Sequence, residues 1–427
     1  MPSTYGATLR VLIELNQKLL LQKNIDFNHD ESIKMIDFGS GTGAVAWAAK
    51  EVWKNSKIDY YGLEKSSSMI WLSDHLLNPT NENDHDTSTT ESDLNDQIHD
   101  DSINSKSNLQ TSFHRLSISP HKLDNRRKLS TDEKLLEELE KLEKEEKEFQ
   151  EADENTKSIE SKITEEDTLS SIQSKIKNKQ NLIAIMSFTL SDLPNEESRR
   201  QAILQLWKTG AKTMIIIDRG TPSGFQLISM ARQQLLNLGK RSSISQESSW
   251  ILAPCSHDLI CPLIGSKHFC HFSQRIQRPK FLKVTKHTLI DEEDCKFSYV
   301  IVRRGLRDEC KFDEGRFSLD DQVVEVDDIK MGSSDQVIES NQVEDHQVQS
   351  NPVNWPRIIL PPHKKKGHVI LDVCSSSGQI ERMTIPKSQG KSDYYDARKS
   401  HWGDSWPHGS KKVPLVKEIK KVIKKSI

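Results

Sequence analysis

Residues 35–50 read MIDFGSGTGAVAWAAK, and this stretch decides the fold. Met35–Phe38 is a short apolar run suited to a buried strand. Gly39, Gly41 and Gly43 follow at once, and a helix-like stretch from Thr42 to Trp53 comes next. A glycine turn between strand and helix lets backbone N–H groups approach a ligand closely. The helix that follows directs its positive end at that ligand. The third glycine comes one residue too early for the dinucleotide fingerprint, and there is no lysine for a P-loop. Asp37 precedes the turn, and Glu64 ends the next strand, IDYYGLE. That combination suits S-adenosylmethionine. Asp37 would orient the loop and counter the donor's amino group. Glu64 would take the ribose hydroxyls at the carboxyl edge of the sheet.

Outward from the loop, Tyr5, Leu9, Leu12, Leu15 and Leu19 recur at helical spacing, predicting an amphipathic helix over Thr4–Gln22. SSSMIWLSDHLL predicts a helix. From about Asn78 to Gln180 the chain turns polar and charged, as expected of a disordered insertion. Within it, LLEELEKLEKEEKEF carries a leucine stripe, and Ser112–Ser119 (SFHRLSIS) alternates like a displaced third strand. Order returns with the strands NLIAIMS and KTMIIIDRG, separated by the helix EESRRQAILQLWKTG and followed by the helix FQLISMARQQLLNLG. KFLKVTKH and FSYVIVRRG are expected to be strands. Alternating strands and helices closed by a strand pair predict an α/β doubly wound sheet. The tail predicts a small β-rich appendage.

Bulk properties bound the function. The chain has 427 residues, a net charge of -3 and only 34% hydrophobic residues. It is long enough for two domains, part of it too polar to pack. The overall charge does not advertise a nucleic-acid binder, but the segment from Pro362 onward is strongly basic. No apolar run reaches the ~20 residues that span a bilayer, so no membrane partner is expected. The start lacks a secretory h-region and has few basic residues for a mitochondrial presequence.

SFTLSDLP stands where many N-methyltransferases carry an Asn/Asp-Pro-Pro-aromatic set. Phe188 and Asp192 are there, yet the plainer reading makes Phe188 core and Ser191 or Asp192 a helix cap. No catalytic residue is assigned. Six cysteines are present, three of them at Cys255, Cys261 and Cys270, with Cys374 far downstream. Four thiolates hold zinc or an iron–sulfur cluster equally well. The missing C-x2-C knuckle favours a cluster, while His257, His268 and His271 compete as ligands. Cys295 and Cys310 look structural. From these residues alone the identity of the metal stays open.

The stretches TYGATLRVLIEL, DFGSGTG, SFTLSDLP, DRGTPSGFQLISMAR, APCSHDLICPL and FCHFSQRIQR, with the tail Gly367–Pro407, together resemble one family. It is the mitochondrial ribosomal small-subunit protein 22 family, also called methyltransferase-like protein 17. The resemblance implies a class I methyltransferase (Rossmann-like) sheet. It implies an assembly factor between head and body of the small mitoribosomal subunit, touching rRNA and blocking the mRNA path. It implies a [4Fe-4S] cluster on Cys255, Cys261, Cys270 and Cys374, with Cys295 and Cys310 excluded. Many members are thought to bind the methyl donor without transferring the methyl group. An active S-adenosylmethionine-dependent rRNA methyltransferase is the alternative, and a zinc-stabilised RNA-binding module a third reading. The expected location is the mitochondrial matrix. The chain starts at the family's first core helix, which suggests a truncated N-terminus or another import signal.

The expected organisation is 1–79 as the first part of the methyltransferase fold, 80–180 as insertion, 181–311 as the rest of the fold with the cysteine-rich region, 312–351 as acidic linker, and 352–427 as a basic C-terminal domain. A monomer is expected when the protein is free. Trp402, Trp406, Tyr394 and Tyr395 interleave with the tail's cations as candidates for stacking on unpaired bases. At least two of them are expected to be core. KKVPLVKEIKKVIKKSI is expected to be an RNA-binding helix or a frayed end.

Overall fold

The computed structural model describes residues 2–21, 32–78, 108–115, 170–174, 176, 179, 181–241, 248–307 and 352–419. The leucine stripe at 135–142, Cys310 and the acidic linker lie outside them.

The strands β1 (Ile33–Phe38), β2 (Ile58–Glu64), β3 (Leu109–Arg115), β4 (Leu182–Ser187) and β5 (Thr213–Arg219) run parallel. Strand β8 (Glu292–Arg304) pairs antiparallel with β5, and β6 (Ser249–Ala253) antiparallel with β8. The order is β3-β2-β1-β4-β5-β8-β6, with β7 (Phe272–Gln277) on the outer part of β8. That order, with its single reversal at β8, is the class I methyltransferase sheet. The displaced third strand is real: β3 pairs with β2 from Leu109 to Arg115, a few residues before the stretch expected from alternation.

Every residue of β4 is buried, as are all but the last of β5. Parallel strands covered on both faces read as continuous apolar runs, which explains LIAIMS and TMIIID. Helices α1 (Pro2–Leu21) and α2 (Ala44–Val52) cover one face through Leu12, Leu15 and Ala48. Helices α4 (Glu196–Lys208) and α5 (Pro222–Arg241) cover the other through Ile203, Leu206, Ile228 and Leu235. Helix α3 (Ser67–Leu77) closes the β2 side, capped by Ser66. The cap of α4 is Asn195, whose Oδ1 accepts from the Ser198 N–H at 2.8 Å, and not Ser191 or Asp192. Those two are drawn away: the Ser191 hydroxyl accepts from Arg219, and Asp192 pairs with the same guanidinium.

KFLKVTKH is not a strand. Helix α6 spans Lys280–Thr285, entered from Pro279, at the tip of the β7–β8 hairpin. Lys280, Lys283 and Lys286 recur every three residues, so the same letters satisfy a helical period. The Pro279 ring has no N–H to give a ladder and suits a helix entry.

A second sheet follows the linker. Its order is β10 (His363–Lys364), β11 (His368–Cys374), β12 (Ile380–Pro386) and β13 (Leu415–Val416), with β9 (Arg357–Ile358) on the end of β11. Helix α7 (Lys391–Lys399) packs on it. The small core holds Val369, Leu371, Val373, Met383, Tyr394 and Trp406. Tyr394 and Trp406 are therefore packing residues and unavailable for stacking on bases. Tyr395 is exposed, and Trp402 lies half-buried with its ring edge-on to His271 at 4.2 Å. The start of the last basic stretch forms β13 rather than a helix, and residues from 420 lie outside the description.

The two sheets meet through buried charge. The Arg357 guanidinium pairs with Glu14 of α1, and its Nη1 and Nε donate to the carbonyls of Gly403 at 2.7 Å and Pro254 at 3.1 Å. The Tyr299 hydroxyl donates to Glu14 at 2.5 Å. Lys18 Nζ donates to the Pro352 carbonyl at 2.6 Å. Burial alone would raise the Glu14 carboxyl, but Arg357, Tyr299 and Lys18 outweigh it and hold it below its usual range.

Candidate cofactor and metal sites

The glycine loop sits at the carboxyl end of β1, between β2 and β4. Gly39, Gly41 and Gly43 have φ of 75°, 53° and 78°, in the left-handed region. A Cβ on Gly39 would lie 2.7 Å from Thr189 Oγ1, and one on Gly43 2.7 Å from Leu77 Cδ1. Those two glycines are required by fit as well as by φ. A Cβ on Gly41 would meet nothing within 4 Å, so this glycine faces open space.

Glu64 is bound to the loop itself. Its Oε2 accepts from the Gly41 N–H at 2.9 Å, and its Oε1 from the N–H groups of Lys65 and Ser66 at 2.9 and 3.1 Å. Oε1 is thereby filled, and Oε2 retains one lone pair for a ribose hydroxyl. Asp37 is fully buried below the turn. Its Oδ2 accepts from the Tyr60 hydroxyl at 2.6 Å, and its Oδ1 has no partner. Burial pushes its pKa up to about 7, against the Tyr60 hydrogen bond and with help from the Glu64 charge.

That shift has a measurable sign. A carboxyl raised from about 3.9 in the unfolded chain holds a proton that the unfolded chain releases. Stability contributed this way is present at low pH and is lost as pH rises through about 7. Asn at this position keeps an acceptor for Tyr60 and cannot ionise. Asp37→Asn is expected to flatten the pH dependence of Tm between acid and neutral pH. It is also expected to add roughly 2–4 kcal/mol of stability above neutrality. An unchanged slope would contradict the buried protonated carboxyl.

The four cysteines come from separate places. Cys255 follows β6, Cys261 and Cys270 lie on the loop between β6 and β7, and Cys374 ends β11 of the second sheet. All four line one apolar cavity between α5, β8 and the second sheet. The loop is fixed locally: the Ser298 hydroxyl donates to the Cys270 carbonyl at 2.8 Å, and Asp258 accepts from the Ile251 N–H at 2.7 Å. Cys374 lies 3.4 Å from His257 Nε2. Burial, then the neighbouring Cys255 and Cys261, pushes the Cys270 thiol up. The Cys374 thiol rises through burial and the charges of the other three. Burial likewise lowers His257, to about 4.

Among the described residues, no group of three or more His, Cys, Asp or Glu side chains is arranged to hold a single metal ion. A tetrahedral zinc with bonds of ~2.3 Å needs its sulfurs about 3.8 Å apart. What the cavity offers is a donor set of sulfur alone, a set that zinc and iron–sulfur centres both use. Cys295 is elsewhere, on β8, with its thiol 3.4 Å from the Ser3 carbonyl. His268 and His271 border a neighbouring surface groove rather than this cavity.

Sequence reading missed two cavity residues, Arg232 and Arg357. Arg357 carries no motif. Arg232 stands one turn from Ile228 on α5, and a cation on the apolar face of a helix was the signal available.

Among the described residues, no helix is long and apolar enough to cross a membrane. Solved methyltransferases overlay loosely. One from Methanosarcina mazei gives a TM-score of 0.27 at 9% identity, covering 66% of this chain and 95% of that one. A precorrin-6y methyltransferase from Geobacter metallireducens gives 0.28 at 9%, covering 70% and 86%. The strand order, not these overlays, assigns the fold. A mitochondrial Rsm22-cox11 tandem protein of Schizosaccharomyces pombe is 32% identical over 236 residues, 53% of this chain and 29% of that protein. The mitochondrial ribosome assembly protein RSM22 of Saccharomyces cerevisiae is 30% identical over 261 residues, 46% of this chain and 39% of that protein. The human mitochondrial ribosome assembly protein METTL17 is 22% identical over 376 residues, 87% and 55%. The chain thus spans 29–55% of the length of these relatives, all of them mitochondrial. Residues 1–144 and 128–407 match the profile described as mitochondrial small ribosomal subunit Rsm22, and the chain belongs to that family.

Proposed function

We propose that this protein is a mitochondrial assembly factor for the small ribosomal subunit that binds rRNA without methylating it. Its four cysteines would hold a [4Fe-4S] cluster. The observation that carries the reading is the cavity lined by Cys255, Cys261, Cys270 and Cys374, drawn from both sheets. When bound, the cluster would supply a cross-link, because its sulfur ligands come from distant parts of the chain. The chain's own part is to hold the thiols in an apolar wall that excludes water and to present cations on the outside. Lys280 on the α6 tip is one such cation, whereas Lys283 and Lys286 beside it are paired with Asp291 and Glu293. Lys364–Lys366 are others, on the second sheet. Cations of this kind bind phosphate backbones and make binding salt-dependent.

The region after β4 supports the non-catalytic reading. Phe188 has φ 62° and packs against the core, and Asp192 is paired with Arg219. Phe188 is thus committed to packing, and Asp192 lies in an exposed surface pair. Purified protein is expected to bind small-subunit rRNA equally well with and without the methyl donor, and less well as salt rises. Absence of binding to rRNA and to small subunits would end the proposal.

The open space at Gly41 favours one second reading, an active rRNA methyltransferase. Labelled methyl transfer to small-subunit rRNA, lost in Gly41→Ala, would establish it.

A further inference from the structure

The cavity of the four thiols contains a positive charge with no carboxylate to match it. Arg232 lies on the α5 face that lines the cavity, one turn after Ile228 and Ser229, and is only 4% exposed. Its Nη2 donates to the His257 carbonyl at 2.8 Å, while its Nε has no partner. Among the described residues it makes no ion pair. Asp258, close in sequence to that carbonyl, pairs instead with Arg307. The contrast is Arg357, the other guanidinium in the same wall, which is matched by Glu14. A buried cation facing only neutral groups is strongly unfavourable, and proteins keep one where an anion shares the site. The thiols are neutral while protonated. They become anions when they bind metal, since a thiolate is the ligand form.

We propose that Arg232 is the counter-charge of the four-sulfur centre, a positioning residue whose guanidinium favours the metal-binding form of the sulfurs and eases reduction of the group they hold. This rests on the metal reading of the cavity given above. Arg232 touches no ligand sulfur through a bond. It acts through its field across an apolar cavity, where charge is weakly screened. It also ties α5 to the loop bearing Cys255 and Cys261 through the His257 carbonyl.

The test uses the full chain purified without oxygen, with iron, sulfide and zinc measured first. In Arg232→Gln, metal release to a chelator is expected to be about tenfold faster, a loss of ~1.4 kcal/mol. The midpoint potential of the centre is expected to move to more negative values. Arg232→Lys keeps the charge and is expected to stay near wild type on both readouts, which a purely structural role would not produce. Ser229→Asp is the second variant. It leaves Arg232 in place but gives it a carboxylate neighbour three residues away on the helix. It is expected to speed release to the same degree, and it keeps the test alive if Arg232→Gln fails to fold. Unchanged release and potential in a folded Arg232→Gln or Ser229→Asp protein overturn the proposal. Zinc without iron or sulfide in the wild type sinks the cluster reading and leaves the counter-charge to be judged on zinc release alone. A wild type with no metal overturns both.

Discussion

Cys374→Ser is expected to reduce bound iron and sulfide to background while leaving both sheets folded. Cys374 is the one member of the proposed ligand set on the second sheet. Seven register pairs fix its strand to β12, so its position does not depend on the cavity. Three thiols on the β6–β7 side would remain, one short of the set that closes a cluster. The visible absorption of the anaerobic protein should disappear, and Tm should fall to that of the wild type stripped of metal. Cys295→Ser is the control. That thiol contacts the Ser3 carbonyl and does not line the cavity, so iron content should be unchanged. Full iron in Cys374→Ser would sink the four-sulfur proposal.

The second large effect belongs to the joint between the sheets. Arg357→Met leaves the Glu14 carboxylate buried without its main partner. Breaking one side of a buried pair costs roughly 3–5 kcal/mol, because the remaining charge has no compensation. Chemical denaturation should show that loss at neutral pH. The Glu14 carboxyl is held below its usual range by Arg357. Its contribution is therefore full above the unfolded carboxylate value and fades as pH falls through the folded one. The gap between wild type and Arg357→Met should narrow in acid. Adding Glu14→Leu to Arg357→Met should recover much of the loss, since apolar replacement of both partners is often neutral. A single variant as stable as wild type would show that the pair does not hold the joint.

Much of the fold could be read from local pattern. The β1–glycine–α2 unit, the buried runs of β4 and β5 and the leucine stripe of α1 each state their structure within a dozen residues. The clustering of Cys255, Cys261 and Cys270 was also legible, whereas Cys374, which lines the same cavity, was joined to them through the family resemblance. What escaped depends on distance or on competing periods. KFLKVTKH fits both a strand and a helix, and Pro279 with the hairpin tip decides between them. Asn195 takes the helix cap because Ser191 and Asp192 are spent in a 3-10 turn and the helix begins only at Glu196. Tyr394 and Trp406 look like recognition aromatics beside lysines. Their burial comes from the pairing of β11 with β12, which the local sequence does not display. Arg232 and Arg357 resemble any other arginine until the cavity around them is seen.

The hydrogen bond between Arg357 and Glu14 spans 343 positions of sequence. A polypeptide that emerges N-terminus first exposes α1 to its surroundings long before residue 357 exists. Until that residue is made, Glu14 and Lys18 are hydrated charges beside the apolar stripe of α1. The segment that carries Arg357 must arrive to draw them inside. Closure of this joint thus waits for β9, and a nascent chain stopped short of that strand would present α1 with its acid still bathed in water.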